Sequence, residues 1–332
     1  MKKIRVAQIG TNFYSHGPFI WDSMKKQSDI FELVGYALPE NERERLPEQV
    51  KYFDGYPEFS VKELLNDPSI DAIVVETDEV YLTKYALMAA KAGKHIHMEK
   101  PGGIQLAEFE ELIATVKKNK TVFHTGYMYR YNPYVKELLQ QIKNGELGEI
   151  ISVEAQMNCN HPKAVREWLH NLPSGMLFFL GCHLIDMIYS IQGEPKEIIP
   201  LSCSTNLDGV TANDFGMVVM KYENGVSLAK TNDTQLGGFV RRSLVVTGSK
   251  KTVVICPLEM SKEKDVLFST KTVYESSEWG DRGETTESTL FDRYDSMMAS
   301  FASFVRGDQE NPYTYDYELQ LYKTILKCCG VK

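Results

Sequence analysis

The most specific signal in the chain is the segment that ends in Glu99-Lys100-Pro101. The tripeptide closes a short run, His95–Met98, so a strand end delivers a carboxylate and an ammonium group side by side. Ligands of open α/β sheets bind at the carboxyl ends of strands. A lysine desolvated there suits proton transfer or a hydrogen bond to a substrate hydroxyl. A lysine at a solvated strand end does neither, and the tripeptide alone leaves both readings open. The second candidate is the turn Gly10-Thr11-Asn12-Phe13-Tyr14-Ser15-His16-Gly17. A strand–turn–helix of this kind holds a pyrophosphate on backbone N–H groups and the helix dipole, and its glycines permit close approach. The dinucleotide pattern G-x-G-x-x-G becomes G-x-N-x-x-S here, with Asn12 crowding the phosphate and Ser15 adding bulk between helix and sheet. Gly10, Thr11, Asn12, Phe13, Ser15 and His16, with Glu99 and Lys100, are the candidate cofactor contacts. An acid normally grips the ribose hydroxyls about 20 residues on. Leu38 stands in its place, Glu40 follows behind Pro39, and no Arg or Lys precedes Arg43, so NAD and NADP both stay open.

The elements that must position these groups alternate strand and helix. Strands are expected at Ile4–Ile9, Phe31–Ala37, Asp71–Glu76, His95–Met98 and Val122–Tyr127. Helices are expected to open near Pro18, at the capping-box spacing of Ser60 and Glu63, at Val80–Ala92 and at Leu106–Asn119. Strands separated by such helices predict βαβ units and a parallel sheet.

Beyond residue 125 the pattern changes. Asn132-Pro133 is an N-cap with Pro at the first helical position. Strand-like runs follow at 149–158, 197–204, 214–222, 225–232, 241–247 and 251–256, with turns at Glu223-Asn224-Gly225 and Gly248-Ser249. One helix, 174–192, is inserted among them, and helices at 292–306 and 316–328 close the chain. Residues 275–289 read as an exposed acidic loop. The expected fold is α/β: a doubly wound Rossmann domain over 1–125, then an α+β domain over 126–332 with an open, mainly antiparallel sheet. Val218, Met220, Leu244 and Val246 alternate as an apolar sheet face should; an outer face left uncovered predicts a homo-oligomer, and helices of the same chain are the alternative cover for some of them.

The net charge of −8 makes a poor non-specific binder of nucleic acid or anionic membrane. The Tyr-rich stretches 127–134 and 313–322 accordingly read as packing, not as base-stacking platforms. The longest stretch without an acid, Lys or Arg, Trp168–Ile185, holds Pro173, Gly175, Gly181, His170 and His183, so no membrane span is expected. The opening MKKIRVAQIG lacks the apolar core of a secretory signal, and the six cysteines form no C-x-x-C pair, so a cytoplasmic protein with reduced thiols is expected. Cys159, His161, His170, Cys182, His183 and Asp186 lack the short fixed spacing of a zinc site, and no metal is expected.

Several of these segments together resemble the glucose–fructose oxidoreductase and inositol dehydrogenase family, Gfo/Idh/MocA. They are the first turn, Asp71–Thr77, Ala92-Gly93-Lys94-His95, Glu99-Lys100-Pro101, Gly126-Tyr127, Arg130-Tyr131-Asn132-Pro133, Gly145–Ile150 and Gly175–Asp186. The resemblance implies an NAD(P)-binding domain, a second domain whose sheet mediates oligomers, and oxidation or reduction of a sugar, polyol or related carbonyl compound. It marks Thr77 as a cofactor contact, although the family's Thr-Pro-Asn reads Thr77-Asp78-Glu79 here and its following histidine is Leu82. The pattern Asp-x-Gly-x-His-x-x-Asp becomes Phe179 through Asp186, keeping His183 and Asp186 and replacing the first acid by Phe179. His183 is then the expected general base, Lys100 polarises the substrate oxygen, and Phe179 lines the substrate pocket on the same helical face as His183. Arg130 either holds a substrate oxygen or pairs with an acid. The implied activity is hydride transfer between NAD(P) and a sugar-like substrate. A divergent, non-catalytic sugar- or nucleotide-binding regulator is the alternative that the departures at Asn12, Ser15, Leu38 and Phe179 support.

Overall fold

The computed structural model describes residues 2–12, 14, 16–263 and 266–331. It forms two units. The first contains the chain up to Tyr127 together with Tyr294–Tyr322, and the second contains Met128–Arg293 and the chain from Lys323 onward.

Five parallel strands build the first unit: β1 (Ile4–Ile9), β2 (Phe31–Ala37), β3 (Ala72–Val75), β4 (His95–Met98) and β5 (Phe123–Thr125), in the order β2-β1-β3-β4-β5. All four residues of β3 are buried, as befits a strand with both faces covered. The order reverses between β1 and β3, and a crevice opens at such a switch point. Gly10 sits there with φ +85, and a Cβ on it would lie 2.4 Å from Thr77 Cγ2, so only glycine brings the two strand ends this close. The helix Gly17–Lys26 follows, with Pro18 in its first turn and Lys25 and Lys26 in its last. Its Trp21 is fully buried, edge-on to Phe53 at 4.9 Å. The expected box at Ser60 is present: its side chain accepts from Glu63 N–H, and Glu63 accepts from Ser60 N–H.

The segment 294–322, expected in the second domain, belongs to the first unit. Asn311 Nδ2 donates to the Phe123 carbonyl at 3.0 Å and Tyr315 Oη to that of Thr121 at 2.8 Å. Tyr322 Oη donates to Gly103 O at 2.6 Å and its ring stacks on Phe109 at 4.0 Å. The helix Asp295–Arg306 buries Phe301 against His124. Together these groups cover the β5 edge of the sheet.

The second unit carries an eight-stranded sheet. Its strands are β6 (Ile150–Asn158), β7 (Glu197–Cys203), β8 (Phe215–Lys221), β9 (Val226–Asn232), β10 (Ser243–Gly248) and β11 (Thr252–Ile255), with β14 (Thr270–Tyr274) and β15 (Glu284–Glu287). A separate pair, β12 (Met260–Glu263) and β13 (Val266–Phe268), stands beside it. The order is β15-β14-β11-β10-β6-β9-β8-β7, antiparallel except for β6 and β9. β15 lies within the segment expected to be a loop. All four of its residues are exposed, and an edge strand of this kind needs no apolar alternation to betray it. The helix expected over 174–192 comes in two pieces, Met176–Phe179 and Gly181–Gln192, joined at Leu180. They pack directly on the sheet: a Cβ on Gly216 would lie 2.8 Å from Leu177 Cβ. Val218, Met220, Leu244 and Val246 are at most 1% exposed, so the face they share is the core of this unit, not an uncovered one.

Candidate active site

In the first unit the predicted cofactor residues gather at the switch point. Gly10 closes on Thr77, whose hydroxyl donates to Asp78 O at 3.2 Å. Thr11 N–H donates to Glu42 Oε2 at 3.2 Å. Asn12 is turned inward: its amide donates to Glu79 Oε2 at 2.9 Å and its oxygen accepts from Tyr14 N–H at 3.0 Å. Its side chain is thereby held by Glu79 and by the backbone of Tyr14. Phe13 and Ser15 lie outside the described residues. His16 Nδ1 lies 3.4 Å from Glu99 Oε1, and Lys100 Nζ lies 3.8 Å from the same oxygen. Glu99 and Lys100 are buried, so the desolvated reading of the strand-end lysine is the one realised. Glu40 faces the helix Leu82–Lys91, accepting from Lys84 Nζ at 2.6 Å and Tyr85 Oη at 2.7 Å.

Four acids meet here, and burial sorts their charges. It pushes Glu42 up to about 9 and Glu79 up to about 7. Glu76 rises well above the ordinary carboxylate range through burial, with Glu99 and Glu79 adding to the effect. Burial also acts on Glu99, but its ion pair and hydrogen bond with His16, with Lys100 beside it, outweigh burial and hold that carboxyl below its usual value. Of the four, Glu99 alone is shifted toward its ionised form, and it stands beside Lys100. Carboxyls shifted toward their neutral form repel a pyrophosphate less than ionised ones do. The glycine turn, the inward Asn12 and the carboxyls that burial pushes toward their neutral form fit an NAD(P) diphosphate on the turn.

Glu42 gives a pH test. Its proton is held in the folded state and lost in the unfolded chain between about pH 4.5 and about pH 9. The folded state then binds the more protons, so its stability falls as pH rises, by up to about 1.4 kcal/mol per unit. Glu42→Gln removes that titration. Urea midpoints at about pH 6 and about pH 8 should diverge, the Gln variant gaining on the parent at the higher pH. Parallel midpoints would show that Glu42 ionises normally.

The second unit brings other predicted residues together. Arg130 forms a buried fork on Asp186: Nε donates to Oδ1 and Oδ2 at 3.0 and 3.1 Å, and Nη2 to Oδ1 at 2.7 Å. Of its two readings, pairing with an acid is the one observed. His183 is 1% exposed and meets the Tyr129 ring edge-on at 5.3 Å. Phe179 packs on Trp168 at 5.2 Å and lies 6.5 Å from the His161 ring. Leu180, with right-handed helical backbone, joins the helix ending at Phe179 to the one that carries His183.

Sequence reasoning missed the network behind His183. Tyr129 Oη donates to Glu259 Oε1 at 2.6 Å, and Arg242 Nη1 donates to both at 3.1 and 2.8 Å. Arg293 Nε donates to Glu259 Oε2 at 2.9 Å. Burial pushes the Glu259 carboxyl upward, but the two arginines outweigh it and keep the group ionised. Tyr129 and Glu259 are 130 residues apart, so no local pattern announces the pair.

Residues 4–127 match the oxidoreductase family with an NAD-binding Rossmann fold, and residues 135–254 match the GFO/IDH/MocA C-terminal domain. A curated relative, myo-inositol 2-dehydrogenase of Thermotoga maritima, is 24% identical over 285 residues, covering 84% of this chain and 81% of its own. A levoglucosan dehydrogenase solved with NADH and levoglucosan superposes with TM-score 0.78 at 19% identity, over 99% of this chain and 98% of that one. A 3-ketoreductase from Actinomadura kijaniata, solved with TDP-benzene and NADP, gives 0.77 at 16% identity, over 98% and 96%. At these identities the superpositions establish a shared fold.

Proposed function

The chain belongs to the Gfo/Idh/MocA oxidoreductase family, and from that premise we propose that it interconverts the hydroxyl and carbonyl forms of a sugar, polyol or related small compound. The observation that carries this reading is the switch-point crevice, where Gly10 closes on Thr77 and a buried Lys100 stands beside an ionised Glu99. NAD(P), when bound, supplies the hydride acceptor or donor. The turn at Gly10–Asn12, with Thr77, holds the dinucleotide. Lys100 donates a hydrogen bond to the reacting substrate oxygen. His183 takes the hydroxyl proton in the oxidative direction and returns it in the reductive one. Asp186 accepts from Arg130, and the imidazole meets the Tyr129 ring edge-on. The relative's activity on inositol and the neighbour's complex with levoglucosan support polyhydroxylated rings as the substrate class.

Melting curves with NAD⁺, NADH, NADP⁺ and NADPH test the reading. A dinucleotide that binds only the folded state adds about 2.7 kcal/mol at a hundredfold excess over Kd. A shift with one of the four, followed by turnover in a panel of inositols, aldoses and anhydro sugars, is expected. No shift with any at about millimolar concentration would reject cofactor binding. A shift without turnover would favour the regulatory alternative, which Phe179 in place of the family's Asp supports.

A homo-oligomer is the proposed assembly, on a different surface from the one expected. Ile199 and Leu201 of β7 are 44% and 47% exposed, and they pair across to Val219 and Met217 of β8. This outer sheet face is opposite the buried Val218 and Met220. Light scattering at about micromolar concentration should give a multiple of the 37.8 kDa chain mass, and Leu201→Glu should lower it. A monomeric parent would defeat the proposal. Among the described residues no helix is long and apolar enough to cross a membrane.

A further inference from the structure

Cys159 and His161 follow the end of β6, and Asp233 follows the end of β9, its parallel neighbour. Backbone bonds hold the two segments in register. Cys159 N–H donates to Asn232 O at 2.9 Å, His161 N–H to Asp233 O at 3.2 Å, and Gln235 N–H to Cys159 O at 2.9 Å. The loop that follows lies hard against them, since a Cβ on Gly238 would meet Cys159 N at 2.7 Å. Three side chains converge on this fixed frame. Cys159 Sγ lies 3.0 Å from Asp233 Oδ1 and 3.5 Å from His161 Nδ1, and His161 Nδ1 lies 2.6 Å from the same Asp233 oxygen.

We propose that Cys159, His161 and Asp233 bind a divalent transition-metal ion of the zinc class. One thiolate, one imidazole and one carboxylate form a donor set for such ions, and soft sulfur disfavours Mg²⁺ and Ca²⁺. The Asp233 carboxylate is 0% exposed, and its second oxygen, Oδ2, makes no hydrogen bond. A buried acceptor left open beside a thiol and an imidazole calls for a cation. Tetrahedral coordination at about 2.0–2.3 Å sets donor separations of roughly 3.3–3.7 Å. The observed 2.6, 3.0 and 3.5 Å are those of the site closed on its own hydrogen bonds. Metal entry displaces the thiol proton and opens the triangle by several tenths of an ångström. The metal–sulfur bond forms as that proton leaves to solvent, with no change of oxidation state.

The arrangement does not suit a nucleophilic cysteine. The thiol points its proton at the aspartate, and burial together with Asp233 pushes it upward, away from the thiolate. Three protein donors leave a fourth position open, as in zinc sites that hold water. His161 borders solvent at 29% side-chain exposure and neighbours Phe179. A water molecule completes the coordination on that side.

Cobalt(II) titration of the chelator-treated, full-length protein tests the site. The expected result is one equivalent bound, with a sulfur-to-cobalt charge-transfer band and the visible bands of a tetrahedral ion, both bleached by Zn²⁺. Cys159→Ser should abolish the charge-transfer band. Asp233→Asn and His161→Gln should each weaken Co²⁺ affinity by about tenfold or more. Cys203→Ser, at an exposed cysteine elsewhere, should leave the spectrum unchanged. Circular dichroism identifies any variant that misfolds, and the two remaining ligand variants then decide. The proposal is overturned if the parent shows no thiolate band at stoichiometric Co²⁺. It is equally overturned if folded Asp233→Asn and His161→Gln bind as the parent does.

Discussion

Replacing His183 by alanine should lower kcat by about 10²- to 10⁴-fold and erase one ionisation from the pH–rate profile. The size follows from what a positioned general base contributes when a proton must leave a hydroxyl as the hydride leaves its carbon. His183 is buried and set against Tyr129, whose hydroxyl is tied to Glu259, so the ring has little freedom to reorient. Lys100→Met, measured in the same assay, should cost less. A lost charged hydrogen bond is worth roughly 1.5–3 kcal/mol, or about tenfold to over a hundredfold in rate. The two losses should differ in kind as well. Lys100→Met weakens polarisation and leaves the pH profile in shape, whereas His183→Ala removes a limb of it. A His183→Ala enzyme with parental kcat and a lowered melting temperature would make the histidine structural and assign the proton to Lys100 or water.

The five strands and the longer helices of the first 125 residues were legible because each carries a local signal, whereas the short helices Glu42–Arg45 and Pro47–Val50 carry none that was read. Buried parallel strands read as short apolar runs, and Ser60 with Glu63 announces its helix by spacing alone. Asn132 likewise caps its helix, accepting from Tyr134 and Val135 N–H at 3.0 and 3.2 Å. The site was legible only where one segment supplied it, as with Glu99-Lys100. Its electrostatics come from acids that arrive from afar: Glu42 reaches Thr11 across 31 positions and Glu79 reaches Asn12 across 67. No periodicity records such a meeting. The Cys159–Asp233 contact spans 74 positions, which is why the short-spacing rule for zinc passed over it. Alternation showed that Val218 and Met220 share a face, but which face the helices cover is decided by packing, and Gly216 under Leu177 is the residue that decides it.

Arg130→Met should destabilise the protein by about 3–5 kcal/mol, because it leaves the Asp186 carboxylate buried without its partner. The side chains of Arg130 and Asp186 are 2% and 1% exposed, so water cannot take over the lost hydrogen bonds. Urea denaturation measures the loss, and its pH dependence carries a second signature. A lone buried carboxylate prefers its neutral form, so the deficit should shrink as pH falls and Asp186 takes up a proton. Adding Asp186→Leu to Arg130→Met should restore much of the stability, since an apolar pair of similar volume avoids desolvating two charges. The same variants separate structure from recognition. If Arg130 serves by holding Asp186, the double variant regains both stability and KM. If Arg130 also reaches a substrate oxygen, the double variant regains stability while KM stays raised. A single variant within about 1 kcal/mol of the parent would mean that Asp186 finds another cation or solvent, and the buried fork would then contribute little to holding the helix Gly181–Gln192 in place.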